Sequence, residues 1–434
     1  MSETLVSGST EQTKAEIHSE TVRSVSFAFR LLFGLANMIT GLCNLTIYQA
    51  LLPGQVAALD PANKVTIITV VSALGALGAA IANPLAGALS DHTTSRLGRR
   101  RPWLIGATLL AFIVLILMAQ ARNVLWLGIG AVCTQILMNI VLAALTAIIP
   151  DQVPLQQRAT VSAFAGMAPL VGGVIGLALI TQVVRGTQAA YYAIAVLSLL
   201  FLGLFLLILR DKPLPKNAAP ALSLKIFLAN FWVNPLKHPD FGYTFLARFF
   251  VFMGYSVTVM FTFYFLQDAV KYGVVSPGQA ANPAVITQGV AIFQTIVVGA
   301  LFVTSIIGGI ISDRLQRRKP FVVGASMVMT VALLLLAFFP IWSFVLVAAA
   351  ILGFGFGIYL SVDLALATQV SPTESEHGKY LGIMNAAIFV PLIVAPALAG
   401  FTLGMFHSYT ALFLVAAFCT MLASALILPI KSVR

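Results

Sequence analysis

Asp363 is the residue best placed to do chemistry in this chain. Of 14 Asp and Glu residues it alone lies well inside a long apolar run. At helical rise, Pro372 puts it about 13 Å from the nearer end of that run, close to the middle of a bilayer. An acid at that depth is a functional-site hypothesis by default. Burial disfavours the charged carboxylate and a nearby cation favours it. A proton or sodium coupling site exploits that competition, which makes Asp363 the ion-coupling candidate. The simpler alternative is a structural aspartate paired with an arginine, and Arg30 or Arg248 qualifies as the partner.

Both arginines begin polar stripes. Arg30, Asn37 and Asn44 recur every seven residues, and Arg248, Tyr255 and Thr262 repeat the pattern at an offset of 218. Seven residues is nearly two helical turns, so each stripe keeps to one face. Gln135, Asn139 and Thr146 mark a third face, and Phe356, Tyr359 and Asp363 a fourth. Polar faces on apolar helices must point at protein or water rather than lipid. The cavity candidates are Arg30, Asn37, Asn44, Tyr48, Gln135, Asn139, Arg248, Tyr255, Thr262 and Tyr359. Amides, hydroxyls and rings suit a sugar, and they suit other polar solutes too. Hydrogen bonding between helices without any ligand is the competing account.

The elements that must position these groups are membrane spans. The chain is 59% hydrophobic and 9% charged, too little charge to cover a soluble surface. Twelve runs are long enough to cross a bilayer: 26–50, 64–89, 103–121, 124–150, 159–184, 189–209, 241–266, 287–311, 321–340, 343–370, 380–403 and 410–430. One set of alternate loops holds only Lys64, Arg122, Arg185 and Lys271. Nearly all other Lys and Arg residues fall in the opposite set and the two ends. That asymmetry predicts both termini in the cytoplasm, and it explains the net charge of +11 without nucleic acid. The reading is a polar tail (1–25), a six-helix bundle (26–209), a linker (210–240), a second bundle (241–430) and a short end (431–434). Leu224, Phe227, Leu228 and Phe231 suggest an interfacial helix in the linker; a merely buried loop is as good a reading. Cys43, Cys133 and Cys419 read as packing residues. No phosphate loop, zinc-ligand spacing or nucleophile triad occurs. No cofactor, metal or catalytic residue is therefore expected, and the chain does not read as an enzyme.

The internal repeat carries the most information. Residues 87–107 read GALSDHTTSRLGRRRPWLIGA, and residues 309–325 read GIISDRLQRRKPFVVGA. The offset of 218 that aligns Pro102 with Pro320 also pairs Pro154 with Pro372 and Gln49 with Gln267. Two halves on one plan imply a pseudo-twofold axis with sites between them. Asp91, Arg99, Arg100, Arg101 and Asp151, with Asp313, Arg317 and Arg318 in the second half, have the composition of a cytoplasmic gate of charge-assisted bonds. Ordinary positive-inside topology is the alternative.

Gly87, Asp91 and the run from Gly98 to Pro102 resemble the cytoplasmic signature of the major facilitator superfamily, and Gly309 to Lys319 its degenerate second copy. The longer first loop, Ser90 through Pro102, is similar to the variant of plant sucrose transporters and their relatives, and more distantly to glycoside–pentoside–hexuronide cation symporters. The resemblance implies an all-α fold of two pseudo-symmetric six-helix bundles, with spans one, four, seven and ten around the cavity. It also implies a cation-coupled carrier of a small polar solute, a sugar or glycoside taken up with a proton. The expected partners are that solute, the cation and the lipid of a bacterial plasma membrane, and the expected state is a monomer. Two departures stand against simple transfer. Span four has no arginine, and Pro169, Gly172 and Gly173 partly match an antiporter motif. These keep proton-coupled efflux of drugs or metabolites open, although small residues there also serve helix packing.

Overall fold

A computed structural model describes residues 25–184, 186–211, 238–274, 282–315, 317–369 and 377–430. Among the described residues, twelve helices are long and apolar enough to cross a membrane. They are α1 (Phe27–Leu59), α2 (Lys64–Asp91), α3 (Arg101–Ala119), α4 (Val124–Gln152), α5 (Gln156–Val183) and α6 (Thr187–Ile208) in the first half. The second half has α7 (Pro239–Ala269), α8 (Pro283–Leu315), α9 (Lys319–Phe338), α10 (Trp342–Gln369), α11 (His377–Phe406) and α12 (Tyr409–Ile427). Each of the twelve runs in the sequence is one helix. Of the linker read at 210–240, residues 212–237, with the suggested interfacial helix, lie outside the described residues, and α7 already begins at Pro239.

Local chemistry sets the helix ends. Ser26, Asn123 and Ser408 cap α1, α4 and α12 by accepting from the amides of Phe29, Trp126 and Ala411. Prolines sit in the first turns of α3, α7 and α9, where a missing N–H costs nothing. α1 extends nine residues beyond its predicted end at 50, through a π-turn at Ile47–Leu51. α7 carries a π-turn at Phe265–Ala269, offset by 218, so the repeat extends to this rare geometry. A third π-turn, Leu179–Val183, ends α5.

Helices pack mostly within each half: α1 on α5 and α6, α4 on α2 and α3, α10 on α8 and α9, α7 on α11 and α12. Around its π-turn α1 touches α7 and α8, and the halves meet mainly through α2 with α11 and α5 with α8. Shifting each helix by six exchanges these two pairs, as a pseudo-twofold axis requires.

Close helix approach depends on glycine. A Cβ on Gly41 of α1 would lie 1.7 Å from the Pro169 carbonyl oxygen of α5. One on Gly172 would lie 2.1 Å from the Met38 carbonyl oxygen, and one on Gly173 would strike Leu45. Pro169, Gly172 and Gly173 therefore form the contact between α1 and α5. Gly353 and Gly357 likewise seat α10 on the backbone of α8, and Gly355 seats it on α9. Gly34, on the same helix as Gly41, has open space around it. Gly41→Ala should therefore lower stability by about 1–3 kcal/mol through overpacking, while Gly34→Ala should keep it or raise it by up to about 1 kcal/mol through helix propensity. Thermal unfolding of the purified protein in detergent compares the two, and equal midpoints would contradict the packing account.

Candidate functional site

Asp363 is fully enclosed, and its partner is Arg248. Arg248 Nη2 stands 3.0 Å from Asp363 Oδ2, with the two side chains only 6% and 4% exposed. One turn earlier on α10, the Tyr359 hydroxyl donates to Asp363 Oδ1 at 2.9 Å. Arg248 Nε and Nη1 are buried without a hydrogen-bond partner. Rings close over the pair on the side away from the basic loops. Phe252 meets Phe356 and Tyr359 edge-on, and Tyr255 stacks on Phe356 with centroids 4.0 Å apart and planes at 13°. Arg30 stands at the matching position of α1, and its Nε is buried and unpaired. Of the two candidate arginines, the structure joins Arg248 to the acid.

The other stripe residues divide into two groups. Asn37 donates to the Phe33 carbonyl, Asn139 to Gln135, Thr262 to Thr258 and Thr146 to Leu142. These are bonds to the preceding turn of the same helix, which leave each asparagine its amide oxygen and a second N–H to reach further. Tyr48 crosses between helices and donates to the Ala131 carbonyl of α4. Gln135 Oε1 is buried without a partner, and Asn44 is half-buried.

Among the described residues, several buried and unpartnered groups escaped the sequence reading, and three of them lie near the middle of their helices. Gln294 on α8 is 1% exposed, with both amide atoms unpartnered. Its span also holds Thr287 and Gln288, but these make no three-member stripe with it; the available signal was an amide in an apolar run. Gln49 Oε1 and Thr46 Oγ1, on and beside the first π-turn, are unpartnered too. Gln49 was visible only as the repeat partner of Gln267.

The basic cluster assembles within the first half. Arg100 is buried and binds Asp91, Ser90 and Asp151, the last through Nε at 3.1 Å. Arg99 pairs with Asp151 at 2.6 Å, and Arg101 donates to the Leu206 carbonyl. Asp211, just past α6, accepts from the backbone N–H groups of Arg100 and Arg101 and so caps α3. Gly98 holds φ at +105°, where a Cβ would meet this carboxylate at 2.4 Å. In the second half Lys319 binds the Leu428 and Ile430 carbonyls, as Arg101 binds the end of α6. Arg317 is exposed and Arg318 half-buried. The side chain of Asp313 lies outside the described residues.

Comparison with known proteins agrees with this architecture. The family model for the Major Facilitator Superfamily matches residues 33–304 and 289–433. The chain belongs to the major facilitator superfamily. Members are membrane transporters, so the chain is a transporter and not an enzyme. A solved D-xylose-proton symporter superposes with a TM-score of 0.67 over 93% of this chain and 97% of that one, at 14% identity. A point mutant of the nucleoside transporter NupG gives 0.68 over 93% and 99%, at 13% identity. At those identities the likeness is one of fold. A general alpha-glucoside permease of Schizosaccharomyces pombe is 30% identical over 118 residues, which span 24% of this chain and 21% of that protein.

In this transporter the halves are pinned together at the end opposite the basic loops. Lys64 Nζ pairs with Asp268 at 2.6 Å and donates to Gln267 Oε1 at 3.1 Å. The ammonium also lies 5.2 Å from the centre of the Tyr264 ring. Tyr409 donates to the other oxygen of Asp268 at 2.7 Å, and the Tyr264 hydroxyl reaches the Pro53 carbonyl at 3.3 Å. Two surface hollows, of about 500 and 460 Å³, lie elsewhere, between α4 and α2 or α3. Exposed Leu117, Trp126, Val70 and Leu74 line them. They suit acyl chains better than a polar solute.

Lys64 and Asp268 are 17% and 33% exposed, so solvent screens part of their attraction, and their loss should cost about 1 kcal/mol. Lys64→Met should accordingly populate a state open at this end about fivefold more. Spin labels at Ala62 and Pro340, in a background without the three native cysteines, report that opening as a longer distance. An unchanged distance distribution would contradict this role.

Proposed function

We propose that this transporter is a secondary carrier that takes up a neutral polar solute, a sugar or glycoside, together with a proton, by alternating access. The observation that carries the reading is the enclosed Arg248–Asp363 pair with its Tyr359 bond. An ion pair in a low-dielectric interior is held by its geometry, and neutralising one member leaves the other charge uncompensated. A proton arriving on Asp363 would release Arg248, whose Nε and Nη1 are already unpaired. The freed guanidinium would then be available to a solute oxygen, so proton and solute would be bound in concert. The reciprocal follows by linkage: a solute that engages Arg248 favours protonation of Asp363.

The name of the α-glucoside permease supports the substrate class, as does a cavity candidate set made of amides, hydroxyls and stacked rings. In this reading the basic end faces the cytoplasm, both termini lie there, and the protein works as a monomer in a plasma membrane. Efflux is the weaker alternative. The residues of its partial motif, Pro169, Gly172 and Gly173, are accounted for by the contact of α5 with α1.

The test is reconstitution of wild type and Asp363→Asn in vesicles, with methyl α-D-glucoside and maltose as probes. The variant should lose proton-driven accumulation by about tenfold or more while keeping solute exchange across the bilayer. Accumulation that still follows the proton gradient in Asp363→Asn would remove Asp363 from coupling.

A further inference from the structure

We infer that Gln49, Gln135 and Gln294 form a ligand subsite that spans both halves and takes the hydroxyl groups of a neutral polyhydroxylated solute. The inference rests on the carrier reading above and adds to it the residues that select the solute.

Depth is the first argument. Gln49 is ten residues from the far end of α1 at Leu59, Gln135 eleven from Val124, and Gln294 eleven from Pro283. At helical rise all three lie about 15–17 Å below the same face. Contiguity is the second. The Tyr48 hydroxyl and Gln135 both come against Gly75 of α2, where a Cβ would lie 3.4 and 3.5 Å from them. Next along α1, Ala50 packs with Leu177 of α5 and Ala291 of α8. Gln294 is one turn beyond Ala291 on a neighbouring face. At this level packing runs from Gln135 to Tyr48 and, across Ala50 and Ala291, to the helix that carries Gln294, with Gln49 between Tyr48 and Ala50 in the chain.

Unmet bonding is the third argument. Gln49 is 5% exposed and Gln294 1% exposed. Gln49 Oε1, Gln135 Oε1 and both amide atoms of Gln294 have no hydrogen-bond partner. A buried amide without partners is costly, and buried polar groups normally find them. Gln49 also sits in a π-turn, whose wider winding re-aims side chains and is frequent at functional sites.

The chemistry of the three residues defines the ligand. Each amide offers donors and acceptors and no charge. A solute with several hydroxyls satisfies them, each hydroxyl donating to one amide oxygen while accepting from an amide N–H. A carboxylate or an ammonium would be desolvated here with no counter-charge among these residues. The charged groups Arg248 and Asp363 lie nearer the basic end, so coupling and hydroxyl recognition occupy two levels of one path.

The experiment uses detergent-purified full-length protein and ligand-dependent thermal stabilisation. Probes are methyl α-D-glucoside, maltose, their deoxy analogues, gluconate and glucosamine. Gln294→Met keeps size and flexibility but removes the amide, and Gln49→Met is its independent companion. Wild type should be stabilised by the neutral probes and not by the charged ones. Each variant should weaken binding about five- to tenfold, the worth of one or two neutral hydrogen bonds. One deoxy analogue should lose affinity in wild type and lose no more in Gln294→Met. Folded variants that bind like wild type would overturn the subsite and leave the carrier reading intact. Preference for the charged probes, or no binding of any neutral polyol to wild type, would overturn both the subsite and the sugar reading.

Discussion

The charge pair between Arg248 and Asp363 constrains the rest of this molecule. Lipid offers no water to either group, so each must be enclosed by protein and each must find the other. α7 and α10 have to stand side by side at one depth to achieve this. Tyr359 fills a remaining lone pair of the acid, while Phe252, Tyr255 and Phe356 keep solvent off it from one side. The unpaired edge of the guanidinium is the part of this arrangement that is free to respond.

Around that pair the helices approach as closely as backbone allows. Glycines on α10 seat it against α8 and α9, and glycines on α5 seat it against α1. The first contact fixes the helix that carries the acid. The second fixes the helix that carries Arg30, Asn44 and the π-turn. The two halves then touch along α2 with α11 and α5 with α8, where α1 meets α7 and α8 around its π-turn, and through the ionic contact of Lys64 with Asp268. Strong packing within halves and modest, partly hydrated bonding between them is what rocking requires.

Much of the fold was legible because lipid imposes one rule, apolar length, and every span obeys it. The twofold plan was legible through Arg30 and Arg248, Pro154 and Pro372, and the paired basic loops. The site was legible where polarity repeated along a helix, as in the stripe that holds Arg248 and Tyr255. It was illegible where polarity did not recur far enough along a helix. Gln294 has only Thr287 seven residues before it, and its burial without a partner is what marks it. Periodicity also could not separate Asn44 from Asn37, whose amide turns back to its own helix. α1 ran past its predicted end because Pro53 falls just after a π-turn, where the helix absorbs it. The choice between Arg30 and Arg248 needed three-dimensional placement, since the repeat makes them equivalent in sequence. Asp211 was hidden for a similar reason: capping α3 from the end of α6 depends on a fold, not a spacing.

The most direct measurement of the central claim is infrared difference spectroscopy of the protonated carboxyl stretch, comparing the protein with and without methyl α-D-glucoside. The account expects solute binding to raise a protonated-carboxylic-acid band that is absent in Asp363→Asn and still present when the half-buried Asp91 is replaced. A carboxylate at Asp363 that stays ionised with and without solute would contradict it.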